Sequence, residues 1–392
     1  MGPEASATGL KQARVNRLWA AVERTCCEVV WELDPEWTMT YLSDAALSLL
    51  GVPADRLVGR SVLSVVHPED VERARSIVEN CVARREGWDK VRLRVRRPDG
   101  TTSWVETSGI AHVTGDGRLM GFTATTRRLD SSEVADTRRE MIRGRIARVL
   151  SERALRTVWQ PIYAVEDGTL AGVEALTRFS QPGPPGPDQW FADAAEVGLG
   201  EELDLLAIRT ALGEVGRLPT VPYVSLNVSP STVGEALRAV IEDAPVPPTK
   251  IVLELTEHVS VGDYDTFLPP LDGLRRLGVR VAVDDAGAGF ASFRHILRIR
   301  PDIIKLDRSL VSGVSEDAGQ RALAAALVMF ALEAGSMTVV AEGVETEADL
   351  DTITLLGVDA VQGFLLSRPV GASEVRPGLR RERRAGARPS TG

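Results

Sequence analysis

The sequence predicts two folded regions of different class, an α+β domain followed by an α/β domain that closes into a (β/α)8 barrel. Residues 17–130 hold short strands, hairpin turns and two helices, which is typical of an antiparallel sheet with helices on one side. Residues 157–370 alternate eight nearly continuous apolar stretches with helix-length segments, as in a parallel sheet buried on both faces. A highly charged stretch of helical periodicity, residues 131–156, separates the two regions.

The N-terminal region begins with "WELDPEWTMTYLSDAALSLLG", which predicts two short strands around an Asp-Pro turn and then a helix. A second helix is predicted in "HPEDVERARSIVENCVARR", where a Pro-bearing turn precedes acidic residues in the first helical turn. In "KVRLRVRRPDGTTSWVETSGIAHV" apolar residues and arginines alternate, and "RPDG" closes a hairpin. The strand "LMGFTATTRRL" then completes an antiparallel sheet.

The charged stretch 131–156 is predicted to be an amphipathic connecting helix. Its apolar residues recur at helical spacing, and they are Val134, Met141, Ile142, Ile146, Val149 and Leu150. Such a stripe suits pairing with a second copy of the chain, and hence a homodimer. It suits equally a linker helix that lies on one domain of a monomer.

The C-terminal region supplies eight strand candidates. They are "VWQPIYAV", "AGVEALTRF", "YVSLNVS", "IVLELTE", "VRVAVDDA", "DIIKLD", "TVVAEGV" and "AVQGFLL". The first connection, "VEDGTL", is a tight turn rather than a helix, so the first strand is expected to run antiparallel to its neighbour. The last 22 residues, 371–392, carry six arginines among Gly, Pro and Ala, which predicts a solvated, disordered tail.

Composition limits the classes of function. The chain has 392 residues and a net charge of −9, which argues against a general nucleic-acid binder. The three cysteines show neither a disulfide framework nor metal-ligand spacing, so we expect reduced thiols and a cytoplasmic location. No apolar run approaches the roughly 18 residues of a membrane span, and the first residues lack a secretory pattern.

Polar side chains stand near the C-terminal end of nearly every predicted barrel strand, where barrel active sites are built. They are Glu174, Asn227, Glu254, Asp284, Asp285, Lys305, Glu342 and Gln362. One buried acid is usually structural, but five carboxylates on one rim repel each other unless cations lie among them. Because every candidate ligand is an oxygen donor, the expected ions are Mg²⁺ or Mn²⁺ rather than zinc.

The adjacent aspartates in "VAVDDAGAGF" are unusual, because neighbours on a regular strand point to opposite faces. A bend at the strand end brings both into the rim, where Asp284 can bridge two metals and Asp285 can bind one. Two cations a few Å apart suit in-line displacement at phosphorus. Lys305 and Arg178 can then neutralise a phosphate and orient the attacking water.

Residues 157–370 resemble the EAL-domain cyclic-di-GMP phosphodiesterases. The motifs that carry this resemblance are "EALTRF", "LNVSP", "LELTE", "VDDAGAGF", "IIKLDRSLV", "VVAEGVET" and "VQGFLLSRP", in this order. The resemblance implies a barrel enzyme that hydrolyses one phosphodiester bond of cyclic di-GMP, giving linear pGpG, with two Mg²⁺ or Mn²⁺ ions.

The resemblance also implies a role for individual residues. The matching metal ligands are Glu174, Asn227, Glu254, Asp284 and Asp285, and Glu342 helps to hold the metal-and-water assembly. Lys305 matches the lysine that contacts the water, so the catalytic set comprises Lys305, Glu342 and Glu174. The predicted substrate-binding residues are Gln160, Arg178, Asp307 and Gln362, and Glu257 matches a glutamate that anchors the loop after the aspartates.

Two positions depart from the family's metal loop, which usually reads DDFG(T/A)GYSS. Ala286 replaces an aromatic residue and Phe290 replaces a tyrosine, which puts the ordering of the loop and its coupling to a dimer partner in question. A catalytically silent receptor for cyclic di-GMP is the alternative function, and a barrel enzyme of another class, such as an aldolase, is a third. Every ligand position is filled, which favours the enzyme.

Residues 17–130 resemble a PAS sensor domain in "HPED", "RRPDGTTSWVE" and the closing "GFTATTRR". The resemblance implies regulation of the barrel by a stimulus whose ligand is unknown. A flavin-adduct cysteine motif is missing, and a haem would need His67 or His112 as its axial ligand. Cys26 and Cys27 are interpreted as core residues rather than redox sensors.

Overall fold

We analysed a computed structural model of the chain, which describes residues 28–84, 86–181, 186–256, 264–286, 292–335 and 337–379. The chain divides into two compact units, one up to Glu140 and the other from Met141. The predicted core positions Cys26 and Cys27, the predicted anchor Glu257 and the loop residue Phe290 lie outside the described residues. Throughout the described ranges, each helix is too short or too polar to cross a lipid bilayer.

The first unit is built on a five-stranded antiparallel sheet with the strand order β2-β1-β5-β4-β3. Its strands are β1 (Val29–Leu33), β2 (Met39–Leu42), β3 (Trp88–Arg96), β4 (Thr102–Val113) and β5 (Leu119–Arg128), and its helices are α1 (Ala46–Leu50) and α2 (Val71–Arg84). The predicted strands, hairpin and two helices of this region are therefore present. The alternation in β3 turns apolar residues toward the core and arginines outward.

The connecting helix α3 (Ser131–Glu152) ends four residues earlier than predicted. Arg153 adopts a left-handed backbone conformation (φ 49°), which terminates the helix. In the second half of α3, Ile142, Ile146 and Val149 are buried against Trp190 and its neighbours in the barrel unit. Leu150 is half-buried against the same cluster, so four of the six predicted stripe residues pack on their own chain, as in a linker helix that lies on a domain.

The second unit is a closed barrel of eight strands in the order β6 to β13. The strands are β6 (Leu155–Ala164), β7 (Leu170–Phe179), β8 (Val224–Asn227), β9 (Ile251–Thr256), β10 (Arg280–Ala286), β11 (Ile303–Leu306), β12 (Thr338–Ala341) and β13 (Ala360–Val361). The helices around them are α4 (Pro187–Glu196), α5 (Gly200–Glu214), α6 (Glu235–Glu242), α7 (Tyr264–Arg276), α8 (Ser292–Ile299), α9 (Arg308–Val311), α10 (Ala318–Glu333) and α11 (Glu347–Leu356).

The first barrel strand is antiparallel to both of its neighbours, β7 and β13, whereas the other pairs are parallel. The antiparallel orientation predicted from the tight first connection is therefore confirmed. The last strand is shorter than predicted, because the chain turns after Gln362: the Leu366 N–H donates to the Gly363 carbonyl.

Residues 371–379, which were predicted to belong to a disordered tail, pack on the second unit instead. Ala372 and Val375 are buried, and the Leu170 N–H donates to the Pro377 carbonyl at 3.0 Å. The Leu379 N–H donates in turn to the Gly168 carbonyl at 2.9 Å. This segment packs because Ala372, Val375 and Leu379 join the main apolar cluster of the second unit; residues 380–392 lie outside the described part of the chain.

Candidate active site at the barrel mouth

Two layers of inward-facing side chains fill the barrel interior. The apolar layer comprises Ile162, Val252, Ala282, Ile303, Val340 and Ala360 from six strands, and Tyr223, which directly precedes β8. Strand β7 contributes Gly172, where an added Cβ would lie 2.5 Å from the Tyr223 ring. The glycine is required because the tyrosine ring occupies the space that a side chain on β7 would need.

The polar layer lies two residues nearer the mouth on each strand, so strand alternation points its side chains into the barrel as well. It consists of Gln160, Glu174, Ser225, Glu254, Asp284, Lys305, Glu342 and Gln362. All are buried except Glu342, which is half-buried. Every sequence-predicted site residue in this set is thereby brought to one end of the barrel.

Lys305 lies at the centre of the polar layer and is 1% exposed. Its Nζ is 2.5 Å from Glu342 Oε1, 2.9 Å from Glu254 Oε1, 3.3 Å from Asp284 Oδ1 and 3.5 Å from Glu174 Oε2. None of these contacts has the geometry of a hydrogen bond. One ammonium group thus faces four carboxylates, and Glu254 Oε2, Asp284 Oδ1 and Glu342 Oε1 have no hydrogen-bond partner among the described residues.

Burial in this cluster shifts the acid–base equilibria of the carboxyl groups. Burial raises the pKa of Glu254 to about 8, with Glu174 and Asp284 adding to the effect and Lys305 opposing it. Burial also raises the pKa of Asp284, and it raises the pKa of Glu342 well above its usual value. These three carboxylates are therefore poorly stabilised by the protein alone.

Two other groups keep their charge. Burial raises the pKa of Glu174, but Lys305 and hydrogen bonds from Gln362 and Asn227 outweigh it and hold that pKa below its usual value. Burial lowers the pKa of Lys305, but Asp284, Glu174 and the other carboxylates raise it well above its usual value. The lysine is therefore a permanent cation at neutral pH.

The donor set fits divalent cations. Glu254 Oε2 and Gln362 Oε1 are buried and have no hydrogen-bond partner among the described residues. Asn227 donates through Nδ2 to Glu174 Oε1 at 3.1 Å, which leaves its amide oxygen for another ligand. Carboxylate and amide oxygens with excess negative charge are the environment that Mg²⁺ and Mn²⁺ prefer.

The predicted bend at the paired aspartates is present. The pairing of β10 with β11 shifts register between Val283 and Ala286, and Asp285 adopts a left-handed conformation with φ 56°. Aspartate tolerates this region better than most residues, at a cost of roughly 1–2 kcal/mol. As a result, oxygens of Asp284, Asp285 and Glu342 lie within 4.8 Å of one another.

The predicted substrate-binding residues Arg178 and Asp307 make hydrogen bonds to backbone groups of their own segments. Arg178 is half-buried four residues beyond Glu174 on β7, and its Nη1 donates to the Thr177 carbonyl at 2.8 Å. Asp307 caps α9 by accepting the Ser309 N–H at 2.9 Å. Ala286, the departure from the family loop, is fully buried.

Ser225 is a polar-layer residue that the sequence reasoning missed. It is 1% exposed, and its hydroxyl donates to Glu254 Oε1 at 2.5 Å. The signal that could have found it is its spacing, because it lies two residues before Asn227 on the same inward face of β8.

The first unit contains a separate, mainly apolar cavity of about 110 Å³, lined by Trp31, Trp37, Trp88, Phe122, two threonines and aliphatic residues. Two of the tryptophans donate their indole N–H groups to threonines of the lining: Trp31 donates to Thr126 at 2.8 Å and Trp88 to Thr107 at 3.4 Å.

The two histidines named as candidate haem ligands make other contacts. His67 accepts the Glu69 N–H through Nδ1, and exposed His112 contacts Thr123 through Nε2 at 2.8 Å. Neither histidine lines the cavity.

A closed eight-stranded barrel whose mouth gathers carboxylates around one lysine defines a (β/α)8-type protein with a candidate divalent-cation site. The chain belongs to the EAL domain family, whose sequence profile matches residues 143–369. The PAS fold profile matches residues 39–126, so the N-terminal unit is a PAS domain.

Curated relatives match about three fifths of the chain. The cyclic di-GMP phosphodiesterase NbdA of Pseudomonas aeruginosa is 31% identical over 246 residues, which cover 60% of this chain and 31% of that protein. The bifunctional diguanylate cyclase/cyclic di-GMP phosphodiesterase MucR of the same organism is 29% identical, over 59% of this chain and 35% of that protein. The chain thus spans about a third of the length of these relatives.

Solved structures agree with the fold. A MucR phosphodiesterase structure in complex with cyclic di-GMP matches with a TM-score of 0.53 and 28% identity, over 59% of this chain and 98% of that chain. The FimX EAL domain of Xanthomonas citri, in complex with the same dinucleotide, matches with a TM-score of 0.53 at 20% identity. It covers 62% of this chain and 99% of its own, and at that identity it supports the fold alone.

Proposed function

We propose that the barrel is a phosphodiesterase that hydrolyses cyclic di-GMP to linear pGpG. The observation that carries the proposal is the convergence of Glu174, Glu254, Asp284 and Glu342 on Lys305 at the barrel mouth. Relatives and a structural neighbour that are named as phosphodiesterases of this dinucleotide support the choice of substrate.

Two divalent cations, Mg²⁺ or Mn²⁺, complete the proposed site. Its ligands would be Glu174, Asn227, Glu254, Asp284, Asp285 and Glu342. When bound, such ions supply an activated water and neutralise charge on the phosphate. The buried acceptor Glu254 Oε2, which has no partner among the described residues, supports this assignment.

The side chains of the protein contribute orientation and charge. Lys305, fixed among the carboxylates, would hold the attacking water and offset negative charge that develops during hydrolysis. Arg178 and Gln160 would contact substrate phosphate, with Asp307 and Gln362 completing the substrate-binding set. Glu257 would anchor the loop after the aspartates.

Regulation by the PAS domain is part of the proposal, with the apolar cavity as the place where a stimulus acts. A homodimer and a cytoplasmic location are also proposed, the latter on the thiol content of the sequence. The rival function is a silent receptor, which would bind the dinucleotide without cleaving it. The complete set of ligand residues disfavours that rival.

The test is a hydrolysis assay of the purified full chain with cyclic di-GMP, in which products are separated chromatographically. We expect pGpG in the presence of Mg²⁺ or Mn²⁺, no product in excess chelator, and inhibition by Ca²⁺, whose larger and looser coordination misplaces the water. The same assay with and without small apolar molecules tests PAS regulation.

Each other outcome has a distinct meaning. Dinucleotide binding without pGpG at any metal concentration would establish the receptor instead. Full hydrolysis in chelator would reject the metal site. If the chain neither binds nor hydrolyses cyclic di-GMP, the proposed substrate is rejected.

A further inference from the structure

The hydroxyl of Ser225 determines how Glu254 presents its carboxylate. Both side chains are 1% exposed, and the 2.5 Å hydrogen bond from Ser225 Oγ to Glu254 Oε1 joins adjacent strands β8 and β9. A hydrogen bond from a neutral donor to a carboxylate is charge-assisted and short, so it restricts the rotation of the acceptor group.

The two oxygens of Glu254 have different surroundings. Oε1 accepts from Ser225 and lies 2.9 Å from Lys305 Nζ. Oε2 is buried and receives no hydrogen bond from any described residue. A buried carboxylate oxygen without a partner is costly, and it is the atom of this side chain that remains for a cation.

Lys305 by itself does not hold Glu254 in this orientation. Its ammonium is shared with Asp284, Glu174 and Glu342, and its contacts lack hydrogen-bond geometry. Ser225 is thus the single directed hydrogen-bond donor to Glu254 among the described side chains.

We propose that Ser225 is a positioning residue for cation binding: it holds Glu254 Oε1 so that Oε2 faces the metal site. This inference rests on the proposed function, because it presumes that the polar layer binds divalent cations. The chain at β8 then carries Tyr223, directly before the strand, in the apolar layer, Ser225 as positioning residue and Asn227 as proposed ligand.

The experiment measures Mn²⁺ binding to the full chain in the absence of substrate, by electron paramagnetic resonance of the free ion. Loss of a partner that orients a metal ligand typically weakens metal affinity about 10–100-fold. We expect Ser225→Ala to weaken Mn²⁺ binding by at least about 10-fold, and Ser225→Thr, which keeps a hydroxyl, to restore most of the affinity.

Ser43→Ala is the matched control. Ser43 is also buried, and its Oγ accepts the Val30 N–H at 3.0 Å in the PAS domain, remote in sequence from the candidate site. We expect a comparable small fall in thermal midpoint for both alanine variants, with Mn²⁺ affinity unchanged in Ser43→Ala. If Ser225→Ala yields no folded protein, Ser225→Cys, which keeps only a weak donor, takes its place.

The outcomes separate this inference from the proposed function. Wild-type affinity in a folded Ser225→Ala variant overturns the inference and leaves the phosphodiesterase proposal intact. Equal loss of Mn²⁺ binding in Ser225→Ala and Ser43→Ala also overturns it, because the effect is then general destabilisation. Absence of Mn²⁺ binding to the wild-type chain instead overturns the metal site on which the proposed function depends.

Discussion

Ile303 and Lys305 point into the same barrel interior from strand β11, and both are at most 2% exposed. Their surroundings differ completely, since Ile303 packs in the apolar layer whereas Lys305 contacts four carboxylates. Fully burying an aliphatic side chain stabilises a fold by about 1.5–3 kcal/mol, whereas burying an ion costs several kcal/mol unless it is well paired.

The difference separates the part of the barrel that maintains the fold from the part that carries its chemistry. The apolar layer closes the interior with residues that need no partner. The polar layer accumulates negative charge that the described protein groups do not neutralise, so it is stable only with help from protons or cations. Stability is thus lower where function is proposed, as is common for active sites.

The largest effect is expected for Lys305→Met, which removes the cation from the polar layer. Leaving buried carboxylates without a partner destabilises the folded state by about 3–5 kcal/mol. The loss would be measured by urea unfolding in chelator at neutral pH. Because divalent cations would partly replace the lost charge, Mg²⁺ should recover some of this stability. A variant as stable as the wild type in chelator would contradict the electrostatic role of Lys305.

An intermediate effect is expected from pH in the metal-free wild-type chain. The pKa of Glu254 is raised from 4.5 to about 8, so the folded state binds its proton more tightly than the unfolded state. The resulting stability is present below pH 4.5 and is lost as pH rises to about 8. The raised pKa values of Asp284 and Glu342 act in the same direction.

The measurement is the urea midpoint between pH 5 and 8 in chelator, repeated with saturating Mg²⁺. Bound cations favour the charged carboxylates, so the fall in stability should be reduced or abolished by the metal. A midpoint that rises over this range in chelator would show that the cluster is not protonated in the folded protein.

The smallest effect is expected for Ile303→Val in the apolar layer. Loss of one buried methylene group destabilises by about 0.5–1.5 kcal/mol, and the loss should be equal in chelator and in Mg²⁺ because no charge changes. Calorimetric unfolding under both conditions measures this. A metal-dependent loss would show that the two layers are energetically coupled, and would weaken the distinction drawn between them.

Local sequence patterns predicted much of the architecture. Hydrophobic alternation and the hairpin turn identified the PAS sheet, and eight apolar stretches identified the barrel strands. The tight connection "VEDGTL" was sufficient to predict the antiparallel first strand. These features are readable because they depend on periodicity and turn chemistry over a few neighbouring residues.

Features that depend on the backbone conformation of a single residue or on tertiary contacts were harder to predict from the sequence. Arg153 ends α3 by adopting a positive φ, which cannot be predicted from the residue type because arginine rarely adopts it. The segment that follows Pro369 continues to pack as far as Leu379, although its composition resembles a solvated tail. In both cases tertiary contacts outweigh local propensity.

The sequence by itself determined which chemical groups the barrel carries at its strand ends: carboxylates, the side-chain amides of Asn227 and Gln362, and a lysine. Motifs and spacing sufficed for this because the ends of parallel strands meet at one edge of a barrel. Only the tertiary structure decided how these groups meet. The partnership of Ser225 with Glu254 and the crowding of four carboxylates around Lys305 join residues far apart in the chain. Barrel closure brings them within hydrogen-bond or ion-pair distance, and no local pattern encodes such distances.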